Sequence, residues 1–151
     1  MSQPTATFQL RPFALSDADS VAPWLTGPGL SLPLGSTAWP ERILRDQRIL
    51  ALVGWAGDER LGLLRLDCGP DGVADVTIVV SPEHRRSGFG RRMFHLALSQ
   101  AEDVGMHSLV AYVDLCNSPA LAFFESVGFE GRGVSADRLR MERGVHAPGS
   151  P

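Results

Sequence analysis

Between Val80 and Arg91 the chain reads Val80-Ser81-Pro82-Glu83-His84-Arg85-Arg86-Ser87-Gly88-Phe89-Gly90-Arg91, and these residue types suit the capture of an anion. The two glycines leave main-chain N–H groups uncovered by side chains, and a helix that starts there adds partial positive charge. Arg85, Arg86 and Arg91 supply neutralising cations. A phosphate or pyrophosphate is the ligand such a loop fits. No G-K-[ST] follows, so the loop is not of the nucleotide P-loop kind.

A cradle of this type must be held between a rigid strand and a helix. The β-branched run Val76 to Val80 ends at Pro82, which cannot donate to a central ladder. From Gly90 onward Met93, Phe94, Ala97, Ala101 and Val104 recur at helical spacing until Gly105 closes the pattern. Upstream, Thr7 to Phe13 predicts an opening strand. Ser16 as N-cap, Asp17 and Asp19 in the first turn, and Val21, Ala22 and Leu25 on one face predict a short helix. Thr26 to Ser36, rich in Gly, Pro and Leu and free of charge, predicts an irregular segment. Pro40 with Ile43, Leu44 and Gln47 predicts a second helical piece. Ile49 to Trp55, Leu61 to Asp67 and Val73 to Val80 form a meander, with turns at Gly57-Asp58-Glu59 and Gly69-Pro70-Asp71-Gly72.

Downstream, the nearly all-apolar Leu109 to Val113 predicts a buried strand with a parallel neighbour. Ser118 caps a helix that begins at Pro119, carries Ala120, Phe123, Phe124 and Val127 on one side, and ends at Gly128. Phe129 to Gly133 and Arg138 to Arg143 are expected to close the sheet, and His146 to Pro151 forms a frayed tail. The order predicts an α/β fold, a mixed and mostly antiparallel sheet with one crossover helix behind the glycine loop. A single domain spans residues 1–145, without internal repeat.

Bulk composition narrows the function classes. At 151 residues, 44% hydrophobic and 21% charged, the chain is an ordinary globule with enough length for a real core. Its net charge is −3, so the arginines near position 85 are a local feature. A nucleic-acid-binding role for that cluster is disfavoured by the acidic total and the lack of a basic stripe. Cys68 and Cys116 have neither CxxC spacing nor a disulfide framework and read as small apolar filler. Four scattered histidines lack ligand spacing, so no metal is expected. With no secretory or long apolar segment, a reducing cytoplasm and no membrane contact are the expectation.

Two segments resemble the GNAT superfamily of acyl-CoA-dependent N-acyltransferases. Arg85-Arg86-Ser87-Gly88-Phe89-Gly90 fits that family's R/Q-x-x-G-x-G/A loop, with Val80-Ser81-Pro82 in register before it. Asn117-Ser118-Pro119-Ala120-Leu121-Ala122-Phe123-Phe124-Glu125-Ser126-Val127-Gly128-Phe129 looks like its second signature, N-x-x-A-x-x-F/L-Y-E-x-x-G-F. The resemblance covers nearly the whole chain, least clearly Thr26 to Gln47, and implies a GNAT-like fold that uses acetyl-CoA as cosubstrate. It implies that the diphosphate of coenzyme A lies on the amides of Arg86, Ser87, Gly88, Phe89 and Gly90, with Arg85 and Arg91 nearby. The pantetheine arm would pair with the open edge at Ile78, Val79 and Val80 as an added strand, with the Val80 N–H holding the thioester oxygen as it becomes an oxyanion. Asn117 would touch that arm or serve as a plain helix-start residue.

One position departs from the pattern. Phe124 stands where the family commonly has a tyrosine whose hydroxyl protonates the departing thiolate, although a thiol with pKa ~8.5 is already a tolerable leaving group. Solvent, Ser81 or Tyr112 is available to substitute. An attacking ammonium also needs a base, and Asp75, where many relatives carry Glu, shares a strand face with Thr77 and Val79. A solvent-facing structural aspartate is the competing reading of Asp75, and Asp67 and Asp114 are weaker candidates. His84 belongs to the loop surface. Trp24, Trp39 and Trp55 either line an acceptor pocket or are core. The function implied is acetyl transfer to a primary amine of a small molecule, an amino sugar among the options suggested by the Gly62–Asp67 hairpin. A non-catalytic acyl-CoA-binding module and acetylation of protein amines are the alternatives, with homodimer formation left open.

Overall fold

The computed structural model describes residues 7–25, 39–85 and 87–146. The uncharged segment Thr26 to Ser36, Arg86 and the tail beyond His146 lie outside them, as does the side chain of Trp39. The strands are β1 (Phe8–Pro12), β2 (Ile49–Ala56), β3 (Glu59–Cys68), β4 (Val73–Val80), β5 (Ser108–Asp114), β6 (Glu130–Ser135) and β7 (Arg138–Gly144). The helices are α1 (Ala18–Val21), flanked by single 3-10 turns, then α2 (Trp39–Arg45), α3 (Phe89–Asp103) and α4 (Ser118–Ser126).

One seven-stranded sheet forms in the order β1-β2-β3-β4-β5-β7-β6. Only β4 and β5 run parallel, joined by α3, and every other neighbouring pair is antiparallel. The expected mixed architecture is therefore the observed one. Helices α3 and α4 cover one face, where Leu52, Leu64, Leu66, Val76, Met93, Phe94, Ala97, Phe124, Val127 and Phe129 form the larger core. On the opposite face Val21, Leu25 and Ile43 close over Phe13, Val53, Leu63 and Val79. Because both faces of β2 and β3 are covered, those strands read as apolar runs rather than alternating ones.

Local capping differs from the sequence expectation at both short helices. Ala14, not Ser16, opens the first turn, because the carboxylate of Asp17 reaches back to accept its N–H at 2.8 Å. Asp17 is buried and also takes Arg60 Nε at 2.8 Å, which ties the turn to β3. At α4 the cap is Asn117 rather than Ser118, with Oδ1 accepting the Ala120 N–H at 3.3 Å. Val104 ends α3 in solvent and leaves the core to Ala101. Cys116 is exposed rather than filler, whereas Cys68 packs against the larger core and burial raises its thiol pKa.

The β6–β7 hairpin turns through Ala136 and Asp137, both left-handed at φ 49° and 65°. Paired positive φ is the type I′ turn, which favours Asn-Gly, and an L-alanine there costs about 1 kcal/mol. Replacing Ala136-Asp137 by Asn-Gly is expected to raise the unfolding free energy by about 1 kcal/mol, read as an increased denaturant midpoint at unchanged slope.

Candidate active site

The parallel pairing of β4 with β5 is short. It runs from Val73↔Ser108 to Asp75↔Val110 and stops, while β4 continues to Val80 and β5 to Asp114. Beyond Asp75 the two strands part, leaving a gap inside the sheet. The phase of the ladder decides which groups line it. Ser81 N–H donates to the Leu61 carbonyl at 2.8 Å, and on the opposite edge the Gly72 carbonyl accepts the His107 N–H at 2.8 Å. Main-chain groups alternate sides along a strand, so Val76, Ile78 and Val80 aim theirs into the gap. Val79 does not: its N–H and carbonyl are spent on β3, and its side chain is buried in the smaller core. Of the three strand residues expected to pair with a ligand, Ile78 and Val80 have the required orientation, and Val76 joins them.

At the end of β4 the chain turns through a 3-10 segment, Pro82–His84, and enters α3. Gly88 sits there at φ 79° with open space where a Cβ would be, so backbone conformation and not room demands glycine. Gly90 has the opposite reason. A Cβ there would lie 3.0 Å from the ring of Phe123 and 3.5 Å from Val80, so its absence lets α3 start close against α4 and β4. The first helical bond is Arg92 N–H to the Gly88 carbonyl at 3.2 Å, and the N–H groups of Phe89, Gly90 and Arg91 precede it without an intrahelical acceptor. Ser87, Arg85 and Arg91 are exposed beside them.

The loop is braced from below. His84 is mostly enclosed rather than a surface residue: Nδ1 meets the Ser81 hydroxyl at 2.5 Å and Nε2 meets Glu59 at 2.9 Å. A carboxylate only accepts, so Nε2–H donates to Glu59, and Nδ1 shares a hydrogen bond with the Ser81 hydroxyl. Phe89 packs edge-on to His84 at 5.8 Å and stacks on Phe8 at 5.9 Å. Its ring therefore supports the loop while its amide faces out. Glu59, Glu83 and His84 also bring one possible metal-ligand atom each within 4.8 Å of one another.

On the face away from α3 and α4, Asp75 stands directly opposite Asp67 of β3. Asp67 is paired with Arg65 at 2.9 Å. Burial, then the Asp67 charge, push the Asp75 carboxyl up to about 6, against weaker opposite pulls from Arg65 and Arg138. A carboxyl with that affinity for protons is suited to take one near neutral pH. Asp114 is spent locally, since Oδ1 accepts the Cys116 N–H at 3.0 Å. Two residues beyond Val110, Tyr112 is 48% exposed at the edge of the gap, directly across from Arg140 of β7.

Phe124 lies on the opposite side of the sheet, buried in an aromatic cluster with Phe123 at 5.3 Å and Phe129 at 5.0 Å. The buried Arg143 holds the end of this unit, donating to the Val127 carbonyl at 2.7 Å. Trp24 packs on the smaller core, and Trp55 is stacked between Arg11 at 4.7 Å and Arg60 at 4.4 Å. The sequence reading missed Val76, the His84 bridge and the Phe123 wall. Only Phe123, adjacent to Phe124 in the second signature, carried a signal.

A gap between parallel strands, bordered by free amides at a helix start, matches what the two sequence signatures imply, and the family's own pattern decides the matter. The sequence profile of the acetyltransferase (GNAT) family matches residues 16–129. The chain belongs to the GNAT family. Among curated proteins, this GNAT chain is 38% identical over 61 residues to mycothiol acetyltransferase of Thermomonospora curvata, covering 40% of this chain and 20% of that protein. It is 33% identical over 64 residues to phosphinothricin N-acetyltransferase of Streptomyces viridochromogenes, covering 42% and 35% respectively. The matched segments thus span about a fifth to a third of those proteins' lengths. In fold it is similar to spermidine N-acetyltransferase from Vibrio cholerae in complex with CoA and spermine, at TM-score 0.75 and 20% identity over 91% of this chain and 95% of that one. Among the described residues, no helix of the GNAT chain is long and apolar enough to cross a membrane.

Proposed function

We propose that this GNAT protein moves an acetyl group from acetyl-CoA to a primary amine of a small molecule by direct attack. The observation that carries the proposal is the gap beyond Asp75. One side of it leads to the glycine loop, and the other opens beside a carboxyl with pKa about 6. The diphosphate rests on the amides of Ser87 to Gly90 with Arg85, Arg86 and Arg91 as counter-charge. The pantetheine arm then threads the gap along Val80, Ile78 and Val76, as an added strand would. Asn117, its Oδ1 used as the α4 cap, offers its amide Nδ2 to that arm. Phe123 rather than the enclosed Phe124 flanks it.

Val80 touches the Gly90 turn, too close to the diphosphate for a thioester at the far end of a long arm. We therefore assign the oxyanion contact to the Ile78 N–H, one step deeper on the same edge. Asp75, directly or through a water, takes the ammonium proton. The amine nitrogen bonds to the thioester carbon, the carbonyl oxygen gathers charge at the Ile78 amide, and the C–S bond breaks to release the thiolate. Ser81 is held by His84, so the proton for that thiolate is assigned to Tyr112, exposed at the edge of the gap.

Coenzyme A release that requires both acetyl-CoA and an added primary amine is the supporting result. Tyr112→Phe should lower kcat about 10²-fold, at the low end of general-acid effects. Phe124→Tyr in that background should recover none of the loss, because that side chain is enclosed on the opposite side of the sheet. Phe124 also favours a second reading, a non-catalytic acyl-CoA-binding module. Comparable affinity for coenzyme A and acetyl-CoA, with no turnover over a broad amine panel, would establish it instead.

A further inference from the structure

The sheet face that carries Asp75 has a charge pattern that selects among amines. Direct cross-strand partners project to the same side, and the register runs Arg65↔Thr77, Asp67↔Asp75, Asp75↔Val110, Tyr112↔Arg140 and Asp114↔Arg138. Two of the cations on this face are neutralised. Arg65 pairs with Asp67 at 2.9 Å, and Arg140 pairs with Glu142 at 2.9 Å. Asp114, the direct partner of Arg138, has turned its carboxylate to the Cys116 N–H. Among the described residues Arg138 has no carboxylate within ion-pair distance, and it is exposed at the open end of β7. It lies diagonally across β5 from Asp75, near enough for its charge to act on that carboxyl.

Resting on the transferase reading above, we propose that the acceptor is a primary amine carrying its own carboxylate, an amino acid in the chemical sense, with the amine at Asp75 and the carboxylate on the guanidinium of Arg138. An arginine fork binds a carboxylate through two parallel hydrogen bonds, and Arg138 is the arginine of this face that no carboxylate among the described residues pairs. A polyamine that placed its second cation at Arg138 would meet like charge there.

The test uses matched pairs, each an amino acid and the amine left when its carboxylate is removed, together with spermidine. Wild-type protein is expected to favour the amino acid by at least about tenfold in kcat/KM, one fully formed charge-assisted contact. Arg138→Glu should invert the ratio toward the plain amine and spermidine, and Arg138→Lys should keep part of the original preference. Acetyl-CoA affinity, measured by calorimetry for each variant, serves as the check on folding. A wild-type preference for the decarboxylated amine or spermidine overturns the proposal, as does a ratio that Arg138→Glu leaves in place. Turnover of plain amines alone sinks the carboxylate clamp but leaves the transferase reading standing. Failure to bind acetyl-CoA removes both.

Discussion

Asp75→Asn is expected to cut kcat/KM by about 10²–10³-fold while acetyl-CoA affinity stays near the wild-type value, because the asparagine amide cannot accept the ammonium proton. The pH profile supplies the mechanism-specific readout. The wild-type carboxyl titrates at about 6, so the base is ionised above that value and is lost as protons bind below it. The kcat/KM of wild-type protein should fall on the acidic side with a midpoint near pH 6, and this limb should be missing from the residual activity of Asp75→Asn. An unchanged acidic limb in the variant would assign the titration to another group.

Stability should move the other way. The folded carboxyl binds its proton more tightly than an unfolded aspartate, with pKa ~3.9. Between pH 4 and pH 6 the native state therefore holds more protons than the unfolded chain, and stability declines as pH rises through that window. Above it the wild type carries an ionised carboxylate facing Asp67. A neutral side chain removes the cost of burying that charge and, after it, the repulsion, so Asp75→Asn should be more stable than wild type by about 1 kcal/mol at pH 7.5, the full shift being discounted for partial exposure. Loss of rate with gain of stability separates a poised functional carboxyl from a structural one, whose removal would lower both or neither.

Gly88→Val should weaken acetyl-CoA binding by more than about 100-fold, an effect on the scale of losing two charge-assisted hydrogen bonds. At φ 79° the residue stands where a β-branched side chain is strongly disfavoured, although nothing occupies the space around it. Relief of that strain requires the loop to change φ, which turns the amides before Arg92 away from their common focus. Gly88→Asn is the informative companion, since asparagine tolerates the left-handed region. It should retain binding within about tenfold if backbone conformation is the requirement. Equal damage by both substitutions would show that the ligand needs the space over Gly88. Titration calorimetry with coenzyme A and acetyl-CoA reads both variants, and thermal unfolding confirms that each still folds.

Local signals carried most of the architecture. The β-branched run of β4, the turns at Gly57 and Gly72, the 3.6-residue spacing of Met93, Phe94, Ala97 and Ala101, and the glycines at 105 and 128 each act within a few residues. The elements they predict are present to within two or three residues. The anion loop was legible for the same reason, since glycine spacing and neighbouring arginines are properties of a short contiguous stretch. Caps were harder. Ala14 opens its helix because Asp17 lies three residues on, and Asn117 displaces Ser118 because its longer side chain reaches the Ala120 amide.

The chain by itself thus determined the elements, their order, the glycine loop and the absence of a hydroxyl at Phe124. Tertiary structure alone decided which faces and edges those elements present. The pairing of β4 with β5 ends at Asp75, and so the gap exists; ladder phase turns Ile78 and Val80 into it and Val79 away. Register across three strands sets Asp75 against Asp67 and leaves Arg138 without the carboxylate opposite it. The relations of Asp75 to Val110 and to Arg138 join residues tens of positions apart, and no short window of sequence encodes them. They arise only when the strands settle side by side, which converts an ordinary aspartate into one with a pKa of about 6.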